Sequence, residues 1–462
     1  KNFMDYPTES RTLRGVKSGE EAAIKLYAVF NNKILSVTED TPQSAQITVR
    51  YWVGDREYSA SSSTSFTLYN RNALTWDQTE KLCTFITPKD PAVKVYARDV
   101  VQMFRNSRFD FMNPQLQTAI QLFDSLGVYG MTYITDPKTP FARFSKLKNQ
   151  VDYVQYPRDS LRFKTGDCDD LTVLFCSLLE NLGVDTCMIT VPGHIFMMFN
   201  TEVPAGRRAD IADAEDAVIV HEGTVWIPVE TTVFGKSFLE SWDSAARQYG
   251  RYRGGNGAEI VDTRKAWASF APVTLEIAPW EPIVPARDGV ERLFNNDINT
   301  IINRELARRI GFLKEKLDRS PGDSRILNSL GVAYARYGRY DDAVSFLKKA
   351  IQADGRNFAA HCNLGNVYLL RGELPAAVDC FSKAKELKPD NASVHMNMAI
   401  IYDRMKRYDD MKRSYESAIK LNGELDRHYG YLIKSQDRSR ADSQTRHMPV
   451  LWVDGDQVSP GK

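Results

Sequence analysis

The sequence predicts a multidomain protein with three folded parts: a β-sandwich-like N-terminal domain, a middle α+β domain and an all-α C-terminal solenoid. Three observations lead to this prediction. Apolar and polar residues alternate up to about residue 104, apolar residues return at helical spacing after Cys168, and a 34-residue unit repeats from Leu330 onward. At roughly 150 residues per domain, 462 residues have room for about three domains.

The amino-acid composition favours a globular protein over a nucleic-acid-binding or membrane-spanning one. The chain is 43% hydrophobic and 26% charged with a net charge of +1, which is typical of a globular protein without a basic field to attract nucleic acid. No run approaches the roughly 18 apolar residues of a transmembrane helix. Because the sequence opens with "KNFMDYPTES" and not with Met, we expect the natural N-terminus to lie upstream.

The N-terminal residues 1–105 carry the strand pattern. The segments "IKLYAVF", "AQITVRYWV" and "SFTLY" alternate with period two and are separated by polar turns, which predicts a small antiparallel β-sandwich. Two later segments, "TEKLCTFI" and "AVKVYARDVVQMF", fit a helix or a strand equally well. The sequence assigns no chemistry to this domain.

The middle domain begins its helix at an unusual cysteine in "GDCDDL". The apolar residues that follow fall on one helical face and the helix ends at Gly183; they are Leu171, Leu174, Phe175, Leu178, Leu179 and Leu182. Cys168 therefore lies at a helix N-terminus, where the macrodipole favours a thiolate, although Asp167 and Asp169 oppose it. A cysteine in such a position needs a further partner to act as a nucleophile.

A histidine and a carboxylate follow on predicted strands. His194 comes directly after a Pro-Gly turn in "VPGHIFMMFN", and Glu230 ends the alternating segment "TVWIPVE". An imidazole next to the sulfur can accept the thiol proton and later protonate a leaving amine, and a carboxylate can orient that imidazole. These residues form the candidate set Cys168, His194 and Glu230.

The chain order of cysteine, histidine and carboxylate resembles that of the bacterial transglutaminase-like superfamily, which has a papain-like fold. The resemblance rests on the motifs "GDCDDLTVLFCSLLENLGVDTCMITVPGHIFMMFN" and "PVETT". The similarity covers residues 106 to about 250, and we assign the domain to residues 106–271. The resemblance implies a catalytic triad of Cys168, His194 and Glu230, with Glu at a position where the family usually has Asp. It also implies an oxyanion-binding side chain upstream of the cysteine, for which Gln155 is the candidate, and it requires neither a metal nor a cofactor.

Other polar residues near this set have simpler interpretations beside the functional ones. The aspartates 167, 169 and 170 fit a calcium site, but capping of the helix N-terminus explains them better. His221, next to a Glu-Gly turn, fits a hairpin end better than a second catalytic base. The six cysteines are too sparse for a disulfide framework, and those other than Cys168 are predicted to be small buried side chains.

The C-terminal third repeats with a period of 34 residues. Gly331, Tyr334 and Ala343 recur 34 positions later, and the pattern resembles the tetratricopeptide repeat. We assign the repeats to residues 296–440, preceded by a Pro-rich connector at 272–295 and followed by a polar tail at 441–462. His361 and His395 are also 34 residues apart, which indicates one repeat position used twice and not a metal pair.

Repeats of this kind commonly bind an extended peptide in the groove lined by their first helices. Asn366 and Asn397 match two asparagines that hold a ligand's backbone in peptide-clamping members. A lysine expected nearby is replaced by Cys362, and the asparagines also fit a purely structural role in joining neighbouring helices. The resemblance therefore predicts a protein or peptide partner in this groove.

Two functions follow from these motifs. The first is thiol-dependent acyl chemistry on protein substrates, either amide hydrolysis or transglutaminase-type transfer, with the repeats docking a protein. The second is a catalytically silent transglutaminase-like scaffold whose repeats mediate protein–protein interaction. The family's frequent association with bacterial envelopes predicts a periplasmic or cell-surface location, with the cytoplasm as the alternative.

Overall fold

The computed structural model describes residues 3–10, 12–17, 19–105, 109, 112–135, 150–212, 214–255, 257–275, 280–434, 452–454 and 457–459. The chain divides into two compact units. The first comprises Lys1–Asn106 and Pro114–Asp297, and the second comprises Ser107–Asn113 and Ile298–Lys462. Over the described residues, no helix combines the length and the apolar character needed to cross a bilayer.

The N-terminal region contains one long hairpin in place of the predicted β-sandwich. Strand β1 (Thr41–Val53) pairs antiparallel with β2 (Arg56–Leu68), and almost every side chain of both strands is exposed. The alternating pattern correctly predicts the strands at "AQITVRYWV" and in "SFTLY", but "IKLYAVF", residues 24–30, forms no strand. However, β2 reads "REYSASSSTSFTL", which offers no continuous apolar face for a second sheet to cover. Among the described residues up to Leu68, this hairpin is the only sheet.

A five-stranded antiparallel sheet forms the middle of the first unit. Its strand order is β11-β7-β8-β10-β9, so β11 and β9 are the edges. The strands are β7 (Thr186–Val191), β8 (His194–Pro204), β9 (Ile219–His221), β10 (Thr224–Val229) and β11 (Glu259–Asp262). Two short strand pairs lie outside this sheet. They are β3 (Ala73–Thr75) with β5 (Val151–Tyr153), and β4 (Thr132–Tyr133) with β6 (Thr165–Gly166).

Helices complete this mixed α/β unit. They are α1 (Pro91–Met103), α2 (Pro114–Tyr129), α3 (Pro157–Phe163), α4 (Cys168–Asn181), α5 (Phe238–Tyr252) and α6 (Thr263–Ala266). Helix α4 is buried along most of its length and packs against α1, α2, α3 and β8. The segment "AVKVYARDVVQMF" is therefore helical, and the predicted domain boundary at residue 105 falls within the first unit. The transglutaminase-like fold stays a prediction.

Helix α7 (Arg287–Arg319) contains the division between the units, at Asp297 and Ile298. Its first turns belong to the core of the first unit. The ring centroids of Phe294 and Phe104 are 4.7 Å apart, and the Asp297 carboxylate accepts a hydrogen bond from the backbone N–H of Phe238. The predicted connector at 272–295 is thus helical from Arg287 onward.

The second unit consists mainly of antiparallel helix pairs. These are α8 (Ser324–Arg336) with α9 (Tyr340–Ala353), α10 (Phe358–Leu370) with α11 (Leu374–Leu387), and α12 (Ala392–Arg404) with α13 (Tyr408–Leu421); two short helices, α14 (Leu425–Tyr429) and α15 (Tyr431–Lys434), follow. Side chains of Asp323, Asn357 and Asn391 cap the first helix of each pair, 34 residues apart. The repeat period predicted from sequence is therefore realised as helix pairs.

Within the tail assigned to residues 441–462, the structure describes residues 452–454 and 457–459. Strand β12 (Trp452–Asp454) pairs with β13 (Gln457–Ser459), and β12 contacts helix α10. Trp452 is only 8% exposed and belongs to the apolar core of the repeats.

Candidate active site

Cys168 is the first residue of helix α4. Asp167 is the N-cap, its side chain accepts from the backbone N–H of Asp170, and the Asp170 side chain accepts from the backbone N–H of Asp167. This capping box fixes where the helix begins and therefore where the sulfur lies. Cys168 is 4% exposed. The capping interpretation of the two aspartates agrees with the structure, although the helix start is buried and not solvated.

His194 begins strand β8 after a tight turn. Gly193 has a φ of +80°, which permits the turn, and Val191 then pairs with His194 in the β7–β8 hairpin. The backbone N–H of the next residue, Ile195, lowers the pKa of the Cys168 thiol. Helix α4 packs against strand β8, which brings Cys168 and Ile195 to the same region of the unit.

Glu230 directly follows strand β10 and faces His194. The Nε2 atom of His194 lies 2.7 Å from Glu230 Oε2, with side-chain exposures of 23% and 3%. Strand β10 pairs with β8, which carries the two side chains on neighbouring strands of one sheet. The structure thus joins two of the three predicted triad residues, His194 and Glu230, by a direct contact, and helix α4, which Cys168 begins, packs against strand β8. The catalytic triad stays a prediction.

Two residues that the sequence analysis missed complete the surroundings of the Glu230 carboxylate. Gln248 on helix α5 donates to Oε2 at 2.7 Å, and Thr232 donates to Oε1 through its backbone N–H at 3.0 Å and its hydroxyl at 2.7 Å. Burial alone raises the pKa of Glu230, but the bonds from His194 and Thr232 outweigh it and lower the pKa. Glu230 is therefore ionised and fully hydrogen-bonded.

The pKa of the Cys168 thiol is shifted in the opposite direction from that of Glu230. Burial is the main cause that raises the pKa of its thiol well above the usual range, and the carboxylates of Asp169 and Asp167 add to it. The N–H of Ile195 lowers the pKa, but only partly offsets the increase. Burial and the neighbouring carboxylates therefore favour the protonated thiol over the thiolate.

Gln155, the predicted oxyanion-binding residue, lies on the other side of the capping box. Its side-chain Nε2 donates to Asp170 Oδ2 at 2.8 Å and to the carbonyl oxygen of Thr165 at 3.4 Å. Both amide hydrogens are therefore used within the protein. An oxyanion role for Gln155 stays a prediction, and it requires the amide to exchange one of these partners for the substrate.

A cavity of about 330 Å³ adjoins the helix start. It is lined by Gln155, Asp167, Asp170 and Gly166, together with Ile134 and Thr135 among others. Burial and then the charge of Asp167 raise the pKa of Asp170 to about 7. Burial is the main cause that raises the pKa of Tyr133, which precedes the lining residues Ile134 and Thr135 in the chain, and its hydroxyl accepts from the Thr135 hydroxyl at 3.3 Å.

The repeat asparagines are buried and paired with each other. Asn397 Nδ2 donates to Asn366 Oδ1 at 2.9 Å, which joins helices α12 and α10, and a similar bond of 3.0 Å links Asn363 to Asn328. A bound peptide would have to replace these bonds, and the peptide-binding role of the pair stays a prediction. His361 and His395 bond to the equivalent carbonyl oxygens of residues 355 and 389, as expected for one repeat position used twice.

Comparisons with known proteins concern parts of the chain. One curated protein that is similar to this chain is the UPF0252 protein PH1321 of Pyrococcus horikoshii. The two sequences are 30% identical over 101 residues, which cover 22% of this chain and 26% of that protein. The chain therefore spans about a quarter of the length of this relative. The solved crystal structure of MamA is 25% identical over 32% of this chain and 83% of its own, with a TM-score of 0.26. The MamA RS-1 ArsTM double mutant is 22% identical over 32% and 84%, with a TM-score of 0.27.

Family models for the tetratricopeptide repeat match residues 313–358, 358–391 and 392–424. These ranges coincide with the helix pairs of the second unit, beginning within helix α7. The C-terminal region of the chain consists of tetratricopeptide repeats, and such repeats indicate binding of a protein partner.

Proposed function

We propose that the chain is a thiol enzyme in which Cys168 attacks the carbonyl carbon of an amide or peptide bond in a protein. The observation that carries this proposal is the 2.7 Å contact between His194 Nε2 and Glu230 Oε2, on the strand pair against which the helix of Cys168 packs. An acid that engages one imidazole nitrogen fixes the ring and directs the other nitrogen away from itself.

The path of the proton during the proposed reaction follows from this arrangement. As the sulfur–carbon bond forms, the thiol proton passes to Nδ1 of His194, and Glu230 stabilises the resulting imidazolium. The imidazolium then gives this proton to the leaving amine as the carbon–nitrogen bond breaks, which leaves a thioester on Cys168. Water or a primary amine next attacks the thioester and loses a proton to His194. As the carbon–sulfur bond breaks, the imidazolium gives this proton to the departing sulfur, so the acid or the new amide is released and the thiol and the neutral imidazole are restored.

Hydrolysis and acyl transfer share every step up to the thioester. A water acceptor gives protease or amidase activity, and a lysine acceptor gives cross-linking, as the transglutaminase-like resemblance implies. The accepting nucleophile is set by how well the site excludes water. No metal or cofactor takes part in this proposal.

The repeats supply the second half of the proposal. We infer that the tetratricopeptide repeats hold a segment of the protein substrate and raise its effective concentration at Cys168 without adding contacts at the reacting bond. Such docking predicts that substrate recognition depends on the repeats while the chemical step does not. The site of action is proposed to be the periplasm or the cell surface, which cell fractionation with an antibody against the chain would test.

A catalytically silent scaffold is the second candidate, and one observation favours it. Cys168 is buried and its thiol pKa is raised, which is unlike the exposed, acidic thiol of many cysteine enzymes. In this alternative the fold of the first unit is retained for support, and the repeats carry the biological activity.

A mass-spectrometric survey separates the two candidates. The purified full chain is incubated with a protein digest, with and without a tagged primary amine. Peptide cleavage, amide-to-acid conversion or amine incorporation that is lost in Cys168→Ala and in His194→Ala supports the enzyme, and the product identifies the acceptor. No change in any peptide, with both variants folded as the wild type, would favour the scaffold.

A further inference from the structure

A second cluster of reactive side chains lies apart from the triad, on the five-stranded sheet. Cys187, His221 and Asp262 each offer one ligand atom, and these atoms all lie within 4.8 Å of one another. None of the three contributes to the triad or to the cavity beside it. Thiolate, imidazole and carboxylate together form a typical ligand set for zinc.

The topology explains how these residues meet. Cys187 on β7 is directly paired with Asp262 on β11, at one edge of the sheet. His221 ends β9, which is the opposite edge in the order β11-β7-β8-β10-β9. Flat sheets separate such edges by four strand spacings, roughly 19 Å. The sheet therefore curls strongly enough to bring side chains from both edges to one point.

His221 has a nitrogen that needs a partner. Among the described residues its Nε2 atom is buried and makes no hydrogen bond. The ring is held in place because it packs edge-on against Trp226, with centroids 5.7 Å apart. A buried polar atom without a partner in a fixed ring is rare, and a bound ion is one of the few arrangements that satisfies it.

Charge balance at the cluster also favours a divalent cation. Lys265, the nearest cation, is bonded to Glu222 and its Nζ is 3.7 Å from Asp262 Oδ2, so lysine and glutamate largely neutralise each other. Asp262 Oδ1 accepts from the backbone N–H of Lys265 and caps helix α6, so Oδ2 is the candidate ligand atom, and a metal ion there would replace the 3.7 Å ion pair of Oδ2 with Lys265. A thiolate at Cys187 and the carboxylate of Asp262 then match the two charges of Zn²⁺.

The geometry requires only a small adjustment. Tetrahedral zinc at about 2.0–2.3 Å from each ligand places its ligand atoms roughly 3.3–3.8 Å apart. The observed separations of at most 4.8 Å can close by side-chain rotation of about an ångström. Asp262 also lines a cavity of about 350 Å³ together with Glu222, Trp226 and Lys265, from which water can supply a fourth ligand.

We propose that Cys187, His221 and Asp262 bind one Zn²⁺ ion that ties the two edges of the sheet together. On binding, the zinc–sulfur bond replaces the sulfur–hydrogen bond, and the thiol proton is released to solvent. The site is independent of the proposed acyl chemistry, because its ligands belong to a different part of the sheet.

Calorimetric titration of the chelator-treated full chain with Zn²⁺, in a reducing buffer that does not bind metal, tests the proposal. We expect one equivalent to bind and, at about 100 times Kd, a rise in Tm of about 5–10 °C. Co²⁺ should give a sulfur-to-cobalt charge-transfer band. His221→Ala and Asp262→Asn should each weaken binding by about 100-fold or more, and the asparagine retains the cap on helix α6.

Cys168→Ala and Cys380→Ser are the matched controls. Both variants should bind Zn²⁺ as the wild type does, since Cys168 belongs to the candidate triad and Cys380 lies in the repeats. Unchanged binding in His221→Ala and Asp262→Asn, loss of binding in Cys168→Ala, or no stoichiometric binding to the wild type would each overturn the proposal.

Discussion

His194 Nε2 and Glu230 Oε2 are 2.7 Å apart, and the receiving carboxylate is held on its other sides by Gln248 and Thr232. This relationship fixes the orientation of the imidazole ring. A buried carboxylate with four hydrogen-bond donors has little freedom to release the histidine. The ring is consequently held with its other nitrogen facing away from Glu230, which is the orientation that the proposed proton transfer requires.

Glu230→Gln should lower kcat on an amide or protein substrate by roughly 10²-fold or more, because an amide cannot stabilise the imidazolium. The measurement is steady-state kinetics on the substrate identified by the mass-spectrometric survey. Glu222→Gln is the matched control: Glu222 is exposed, bonded to Lys265, and its loss should leave the rate unchanged. Wild-type activity in Glu230→Gln would show that the orienting acid lies elsewhere.

Asp167→Asn should make Cys168 react faster with iodoacetamide. The thiolate is the reactive form, and the Asp167 carboxylate raises the thiol pKa, so removing that charge lowers the pKa and increases the thiolate fraction at any pH below it. We expect a roughly three- to tenfold increase in rate near neutral pH, corresponding to at most about one pKa unit. Asparagine keeps the N-cap.

Labelling of Cys380 in the same sample provides an internal control, since this cysteine lies in the repeats and is partly exposed. Its rate should not change in Asp167→Asn. A slower or unchanged rate at Cys168 would mean that the neighbouring carboxylates do not govern its acidity.

The start of helix α4 could be predicted from the sequence because its determinants are local. The capping aspartate and the apolar residues at helical spacing lie within fifteen residues of Cys168, and they fix both the helix and the position of the sulfur. Likewise, the 34-residue period specifies the helix pairs, because each repeat needs the next one to bury its apolar face.

The parts that the sequence did not predict depend on tertiary packing. Gln248 reaches Glu230 only because helix α5 packs on strand β10, and nothing in its neighbouring residues indicates this contact. The strand pattern of residues 41–68 is correct, yet alternation alone does not say what covers a strand, and these strands stay in solvent. Trp452 is buried against the repeats for a similarly non-local reason.

Gly365→Ala should destabilise the repeats by about 1–3 kcal/mol. A Cβ at this position would lie 2.7 Å from the fully buried ring of Phe381, so helices α10 and α11 must separate. Thermal unfolding followed by circular dichroism measures the effect. Gly311→Ala is the matched control, because nothing lies within 4 Å of its Cβ and alanine should stabilise helix α7 by up to about 1 kcal/mol. An unchanged Tm in Gly365→Ala would contradict close packing of the pair.

Asn366→Ala should lower the stability of the repeats by about 1–3 kcal/mol, because the buried Nδ2 of Asn397 loses its acceptor at 2.9 Å. The double variant Asn366→Ala/Asn397→Ala should cost less than the sum of the two single variants, which thermal unfolding of all three would show. Additive losses would mean that the two side chains act separately. A weaker affinity for a captured partner, with no loss of stability, would instead support the peptide-binding role.

Detection of an acyl-enzyme on Cys168 is the most direct test of the central claim. The full chain is mixed with p-nitrophenyl acetate at neutral pH, quenched in acid and digested, and the acetylated cysteines are located by mass spectrometry. The account predicts an acetyl group on the peptide containing Cys168, absent in Cys168→Ala and strongly reduced in His194→Ala. Acetylation confined to the partly exposed Cys380, or equal acetylation of Cys168 with and without His194, would contradict it.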